Sequence, residues 1–132
     1  MRQSPRCPVI NFDPEYNDYS PNYPSLTMMM LTKVIELTND LGGADLRGVD
    51  MSEFQMSGVN LSGADLENAD LSRTDLSKAN LKGANLRGAN VYRAGLFKAD
   101  LTEADLTGAD LMEADLYGCV FSNTIMPDGS VR

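Results

Sequence analysis

The sequence predicts an all-β solenoid of about four coils with an α-helical cap on its N-terminal side. Three observations support this fold class. A five-residue period runs through residues 44–126, an amphipathic stretch at residues 25–43 precedes it, and the first 24 residues are rich in proline and tyrosine. Residues 127–132 complete the chain as a predicted turn and tail, so we divide the sequence into these four segments.

Residues 1–24 are predicted to be extended. They hold five of the six prolines and three of the five tyrosines. Proline lacks a backbone donor and disfavours helix in the residue before it. Val9, Ile10 and Phe12 give the segment apolar surface as well. We expect it to dock partly along the side of the solenoid, and a loose tail is the alternative.

Residues 25–43 are predicted to form the capping helix. One stripe at spacings of four, four, three and four residues comprises Leu26, Met30, Val34, Leu37 and Leu41, and the flanking residues Met28, Met29, Leu31 and Ile35 widen it. Ser25 is the expected N-cap, and Gly42 with Gly43 is the expected stop. Such an apolar helix needs a hydrophobic neighbour, which we expect to be the open end of the repeat.

The repeat is centred on large apolar residues. Seventeen centres stand in unbroken register: Leu46, Met51, Met56, Leu61, Leu66, Leu71, Leu76, Leu81, Leu86, Val91, Leu96, Leu101, Leu106, Leu111, Leu116, Phe121 and Met126. Two residues before each centre stands a mostly small residue, which is alanine in eleven cases. Alanine and leucine at a fixed spacing predict one narrow, continuous core.

A period of five excludes both regular structures. In a helix a five-residue step turns by about 140°, so the centres would scatter around the cylinder. In a strand an odd step alternates faces. The pattern is satisfied if the chain turns a corner every five residues, so that about four corners close one coil. Asp or Asn before the centre and frequent glycine two residues after it are the residues that such corners favour.

The repeated phrase resembles the pentapeptide-repeat family. It is seen at Ala44-Asp45-Leu46 and Ala84-Asn85-Leu86, and the resemblance covers residues 44–126. It implies a right-handed quadrilateral β-helix, about 20 Å long at the spacing of stacked strands. Some members of that family mimic B-form DNA and bind DNA gyrase. This sequence resembles them in overall acidity and departs from them in its basic middle and its shortness.

Two departures from the repeat carry structural or functional hypotheses. Val49, Phe54 and Val59 are too large for the small inner position, so we expect them to meet the capping helix. A cluster of large apolar residues occupies the outward position after the centre in two successive coils: Tyr92, Phe97, Met112 and Tyr117. A clustered outward patch is a candidate protein-binding surface. The alternative is that the N-terminal segment covers it.

Charge is distributed in bands. Residues 44–71 carry −5, residues 72–98 carry +5 and residues 99–128 carry −7. The bands predict ion pairs between coils, or else a partner with matching charge. At the C-terminal end, either the tail folds over the last coil or two chains meet there, which would give a homodimer. Cys119 stands in a small inner position, which indicates packing and not chemistry.

Composition limits the function. The net charge of −8 makes direct nucleic-acid binding and attachment to anionic membranes unexpected. The chain has no histidine, and its two cysteines stand far apart, so we nominate no catalytic, cofactor or metal residue. No leader or membrane span is evident, so we expect a cytoplasmic protein if Met1 is the native start. The predicted function is a non-enzymatic protein-binding or scaffold module, and the alternative is a DNA-mimicking inhibitor or protector of an enzyme such as gyrase.

Overall fold

The computed structural model describes residues 26–132, with side chains described from Met29 onward. The predictions for residues 1–24 and for Ser25 as a helix cap lie outside these residues. Among the described residues there is one helix, α1, at Leu26–Thr38. All other regular pairing in residues 26–132 consists of isolated β-bridges, because each side of a coil offers only about three residues before the chain turns.

The bridges have one register. Parallel pairs occur at every fifth residue, from Asp40 with Asn60 to Asp105 with Ile125, and the partners are always twenty residues apart. Each coil therefore takes twenty residues and has four sides, in agreement with the corner-turning pattern of the sequence. Backbone bonds such as Leu46 N–H to the Asp65 carbonyl (2.8 Å) repeat from coil to coil. This stacking satisfies the backbone without long strands.

Alternation along each side creates the core. The small residue and the centre point inward while the residue between them points outward, as the two-residue period of extended chain requires. Ala84 and Leu86, for example, are 1% and 2% exposed, and Asn85 between them is only partly buried. The same order repeats through the middle of the stack, which places the core in a column along its axis.

The corners are tight turns. Ala44 N–H donates to the Leu41 carbonyl at 3.1 Å, and the third turn residue, Gly43, has a φ of 69°. A positive φ at that residue is the type II arrangement. Glycine explains only about half of the corners, because side chains such as Arg93 (φ 56°) and Lys98 (φ 57°) take the same conformation elsewhere.

Helix α1 is shorter than the predicted segment 25–43. It ends at Thr38, because Asn39 adopts a φ of 52° and Asp40 already forms a bridge with Asn60. The Thr38 hydroxyl donates to the Val34 carbonyl at 2.9 Å and closes the last turn. Leu41 is thus a fully buried coil residue and not part of the helix. The bridged pattern begins one five-residue unit before Ala44.

The predicted apolar face of α1 is correct at Leu31, Val34 and Ile35 and wrong at Met30 and Leu37. Met30 and Leu37 are 51% and 71% exposed, whereas Leu31 is fully buried with Val34 and Ile35 packed beside it. Spacings of three and four residues from Leu31 define the side that contacts the first coil. The predicted stripe included Leu37 because it was continued to Leu41, and Leu41 lies beyond the end of α1.

The large residues of the first coil join the same core as the helix. Val49 and Val59 are at most 1% exposed, and Phe54 is partly buried against them. Leu31 of α1 belongs to this cluster. The inner position therefore accepts larger side chains in the first coil, and direct contact between them and α1 stays a prediction.

The last coil is covered on one of its sides. Residues 124–126 pair with residues 130–132 in a short antiparallel hairpin, in which Arg132 N–H donates to the Thr124 carbonyl at 2.8 Å. The Arg132 guanidinium lies 4.5 Å from the ring centre of Phe121. The tail thus folds back on the last coil, as one of the two alternatives held. A homodimer through this end stays a prediction.

Candidate protein-binding site

The four predicted patch residues occupy turn positions at two neighbouring corners. Tyr92 and Met112 share one corner, one coil apart, and Phe97 and Tyr117 share the next. Met112 is 64% exposed and Tyr117 is 73% exposed, while the two lower residues are partly buried. We call these four residues the corner patch.

The corner patch is built as two stacks. The rings of Phe97 and Tyr117 are parallel within 9°, with centres 5.8 Å apart. At the other corner the backbone joins the two levels, because Arg93 N–H donates to the Met112 carbonyl at 3.0 Å. The coil side formed by residues 94–96 and 114–116 separates the stacks. The structure therefore presents two apolar walls with a floor between them.

Cations border both walls. The Arg93 guanidinium lies 5.0 Å from the Tyr92 ring centre and forms an ion pair with Glu113 at 2.5 Å. The hydrogen bond from Arg93 to Glu113 raises the pKa of Arg93. The Lys98 ammonium lies 5.2 Å from the Phe97 ring centre. Aromatic rings with cations beside them are common in protein interfaces.

Ion pairs join the charge bands elsewhere on the surface. Lys82 lies 3.5 Å from Asp100, and Arg87 lies 3.2 Å from Asp105, each reaching to the next coil. The hydrogen bond from the Thr102 hydroxyl lowers the pKa of Asp100. Within residues 26–132, neither Lys78 nor Lys98 lies in such a pair with a carboxylate. One of these two unpaired cations, Lys98, therefore lies beside Phe97.

Gly95 lies on the floor between the two stacks. It takes the outward place between Ala94 and Leu96, which Asp or Asn fills in most repeats. This glycine is not among the site residues predicted from the sequence. Its signal was available: Ala94-Gly95-Leu96 is the one repeat with glycine before the centre. Because residue 95 is glycine, no side chain projects from the floor between the two walls.

The described residues offer few groups that could bind a metal ion or act as a nucleophile. Among residues 26–132 there is no cluster of three His, Cys, Asp or Glu side chains that could hold a metal ion. The Cys119 thiol contacts the Leu96 carbonyl at 3.0 Å, and burial raises its pKa. This agrees with packing, since a neutral thiol is a weak nucleophile. No helix in the described part of the chain is long and apolar enough to cross a membrane.

Comparison with known proteins identifies the repeat. The family model for pentapeptide repeats matches residues 55–91 and 93–127, which together are more than half of the chain. A search of curated proteins returns no significant match.

A search of solved structures returns other repeat proteins. HetL, a pentapeptide repeat protein involved in heterocyst differentiation regulation from Nostoc sp. strain PCC 7120, is 39% identical over 70% of this chain and 40% of its own, with a TM-score of 0.49. A pentapeptide repeat protein from the thylakoid lumen of Arabidopsis thaliana is 30% identical over 67% and 66%, with a TM-score of 0.46. QnrB1, a plasmid-mediated fluoroquinolone resistance protein, is 15% identical over 66% and 58%, with a TM-score of 0.37.

The family assignment rests on the matched repeats. This chain spans less than half the length of HetL. The matched residues contain most of the bridges and three of the four corner-patch residues, Phe97, Met112 and Tyr117, while Tyr92 lies between the two matched ranges. The chain belongs to the pentapeptide-repeat family.

Proposed function

We propose that this chain is a non-enzymatic protein-binding module that contacts a partner protein through the corner patch. In this proposal the coils wind as a right-handed quadrilateral β-helix, which makes the patch a rigid surface. The observation that carries the proposal is the exposure of Tyr117 (73%) and Met112 (64%) directly above Phe97 and Tyr92. Large apolar side chains clustered at the surface of a repeat domain are costly to leave in water.

The composition of the corner patch favours a protein partner. Tyrosine combines a broad apolar ring with a polar tip, and it is enriched among the residues that dominate binding energy. The parallel rings of Phe97 and Tyr117 limit each other's rotation, so less side-chain entropy is lost on binding. Arg93 and Lys98 add charge at the rim. The patch thus has apolar anchors inside a charged border.

Support for a non-enzymatic role comes from the groups available. A shallow recess of about 320 Å³ lies at another corner, lined by Arg47, Gly48, Glu67 and Asn68. The Arg47 side chain there is held by Asp45 at 2.7 Å, and this hydrogen bond lowers the pKa of Asp45. A nucleophile beside a base would be needed for covalent catalysis. The lining offers an ion pair instead.

DNA mimicry, with gyrase as the target, is the alternative. Only the overall charge of −8 favours it. A mimic of B-form DNA needs continuous negative charge along its length, whereas Arg73, Lys78 and Lys98 interrupt it near the corner patch. In a gyrase supercoiling assay we expect no effect of micromolar protein. Inhibition, or protection from a quinolone, would favour mimicry over the proposed module.

Replacement of all four patch residues by serine tests the proposal. The four side chains lie at turns and leave the core untouched, so we expect the fold to be retained and capture of the native partner from a host lysate to be lost. The matched control replaces the same four turn positions at the other two corners: Lys82, Arg87, Thr102 and Thr107. Circular dichroism and thermal unfolding check the fold of both variants.

The two variants separate the outcomes. Loss of capture by the patch variant alone supports the corner patch. Equal capture by the patch variant and the unchanged protein would reject it. If both variants lost capture of the partner equally, the contact with the partner would not be specific to the two corners of the corner patch.

A further inference from the structure

The outward residues of each side form a ladder, and Gly95 interrupts one of them. In the same coil, Asn85 and Asn90 fill the equivalent place on two other sides. Gly95 pairs with Asp75 below and Asp115 above, so the ladder on its side is carboxylate, gap, carboxylate. A Cβ atom added at Gly95 would lie 3.8 Å from the Ser77 hydroxyl and 3.9 Å from an Asp75 carboxylate oxygen. The gap has room for a side chain.

The gap also leaves a backbone donor without an acceptor. In most repeats the side chain of the Asp or Asn before the centre accepts a hydrogen bond from the backbone N–H of the residue that follows the centre. Asn90 accepts from Tyr92 N–H in this way at 3.1 Å, and Asp115 accepts from Tyr117 N–H at 3.0 Å. Glycine cannot do so. Within the described residues, 26–132, the Phe97 N–H has no hydrogen-bond acceptor. This donor lies at the base of the wall that Phe97 and Tyr117 form.

The chain itself shows which group fits such a place. Asn85 accepts Arg87 N–H at 3.1 Å and donates its amide N–H to Asp65 of the coil below at 3.0 Å. Asn60 makes the same two contacts, with Ser62 N–H at 3.0 Å and Asp40 at 2.9 Å. A carboxamide thus bridges a turn N–H and a carboxylate one coil below. Phe97 N–H and Asp75 are the same two groups at the gap.

A carboxylate would fit the gap less well. Asp75 and Asp115 flank it, each one strand spacing away, about 4.8 Å. A third carboxylate between them would be repelled by both. A carboxamide accepts from Phe97 N–H with its oxygen and donates to Asp75 with its nitrogen, since ionised carboxylates only accept. Hydrogen-bond complementarity therefore selects Asn or Gln.

We propose that the Gly95 gap receives an Asn or Gln side chain from an extended segment of the partner protein, with apolar neighbours of that residue contacting the two walls of the corner patch. This inference rests on the proposed protein-binding function and adds the chemistry of the partner. Residues two positions apart on an extended segment share a face. The partner carries apolar residues two positions before and after its Asn or Gln.

Selection from a displayed library of random dodecapeptides against the full chain tests this chemistry. We expect enriched peptides to share Asn or Gln between apolar residues and to lose binding to the serine variant of the corner patch. In a synthetic peptide from the selection, replacing the Asn or Gln by Ala should weaken binding about tenfold, the equivalent of two ordinary hydrogen bonds. The Phe97 amide resonance should shift on titration with the Asn peptide and not with the Ala peptide.

Gly95→Asn is the decisive variant. We expect its own carboxamide to fill the gap, to protect the Phe97 amide from hydrogen exchange and to reduce binding of the selected peptide at least tenfold. Asn85→Gly is the matched control. It opens the same kind of gap on a coil side that lacks aromatic walls, so it should leave peptide binding at Gly95 unchanged and create no second site.

The outcomes separate this inference from the proposed function. Patch-dependent peptides that lack Asn and Gln, or that carry Asp in their place, would overturn the carboxamide and leave the corner patch standing. Full binding by Gly95→Asn would do the same. Failure of any patch-dependent peptide to enrich would remove the proposed function itself. The Phe97 amide could already be protected from hydrogen exchange in the free protein. If replacing Asn11, Asn17 and Asn22 by Ser then reduces that protection, the gap is filled by this chain's own N-terminal segment, and the proposal of a partner side chain is wrong.

Discussion

The two ends of the coil stack are built from the same repeat and are covered differently. At the N-terminal end α1 lies on the first coil, and Leu31 and Leu41 are both fully buried. At the C-terminal end a hairpin covers one side, and the centres Leu111 and Leu116 stay partly exposed. An inward-pointing leucine is buried only when something lies above it. Burial at the ends is therefore a property of the cap and not of the repeat.

The backbone shows the same difference. In the inner coils each centre donates its N–H to the next coil, as Leu86 does to the Asp105 carbonyl at 2.7 Å. Within residues 26–132, the N–H groups of Leu111, Leu116 and Phe121 have no backbone acceptor. They form an open edge of the kind that proteins usually cover. The C-terminal end is the part of the stack with both apolar and hydrogen-bonding surface left over.

Removal of residues 1–38 should have the largest effect. It strips the helix from the first coil and exposes the core around Leu41, Val49 and Val59. We expect aggregation, measured by size-exclusion chromatography with light scattering. Removal of residues 127–132 is the control, and it should leave a monomeric, folded protein. A soluble monomer after the first deletion would show that α1 is not needed as a cap.

Leucine truncation should distinguish an inner coil from the last one. Leu96 and Leu116 occupy the same column one coil apart, but only Leu96 is buried, at 2% exposure. Leu96→Ala should cost about 2–5 kcal/mol in the free energy of unfolding, as for other buried leucines. Leu116→Ala should cost less than half of that. Equal losses in urea unfolding would mean that the last coil is covered as well as the inner ones.

Removal of residues 127–132 should also change hydrogen exchange locally. The Thr124 and Met126 amides donate to Arg132 and Ser130 of the hairpin, whereas the Ile125 amide donates to Ala104 of the coil below at 2.9 Å. We expect protection to fall at Thr124 and Met126 and to persist at Ile125. The loss corresponds to about 1 kcal/mol per hydrogen bond. Loss of protection at all three amides would mean that the last coil unravels with its tail.

The smallest effect concerns acid stability. The Thr102 hydroxyl hydrogen bond lowers the pKa of Asp100 from 3.8, so the carboxylate stabilises the fold above that pH, and the contribution is lost as the pH falls through the lowered value. Thr102→Val should therefore reduce stability at pH 7 and have less effect near pH 2. Ser130→Ala is the control at the hairpin, where Ser130 lowers the pKa of Asp128. If a carboxyl NMR titration gave the same pKa for Asp100 in Thr102→Val as in the unchanged protein, the Thr102 hydroxyl would not be the group that lowers it.

The inner coils were the most predictable part of this protein. Each side repeats the same local problem, because a small residue, an outward polar residue and a large centre must fit between two corners. Seventeen copies in register leave one spacing that buries every centre. The twenty-residue pairing of Asp65 with Asn85 corresponds to four of these repeats in each coil.

The helix and the corner patch were predicted less well. The sequence pattern predicted too wide an apolar face: Leu31, Val34 and Ile35 pack on the core as predicted, whereas Met30 and Leu37 are exposed. The four patch residues were placed outward correctly, yet their division into two stacks depends on where the corners fall. Gly95 was missed because the absence of a side chain carries meaning only beside its neighbours.

The sequence by itself determined the five-residue period, the buried columns and the outward placement of Tyr92, Phe97, Met112 and Tyr117, because these depend on the direction of each side chain within its own repeat. Tertiary structure decided which end is sealed, where α1 stops, and that Gly95 lies between two apolar walls built from stacked coils. These features arise between residues twenty or more positions apart. Stacking, and not local preference, brings them together.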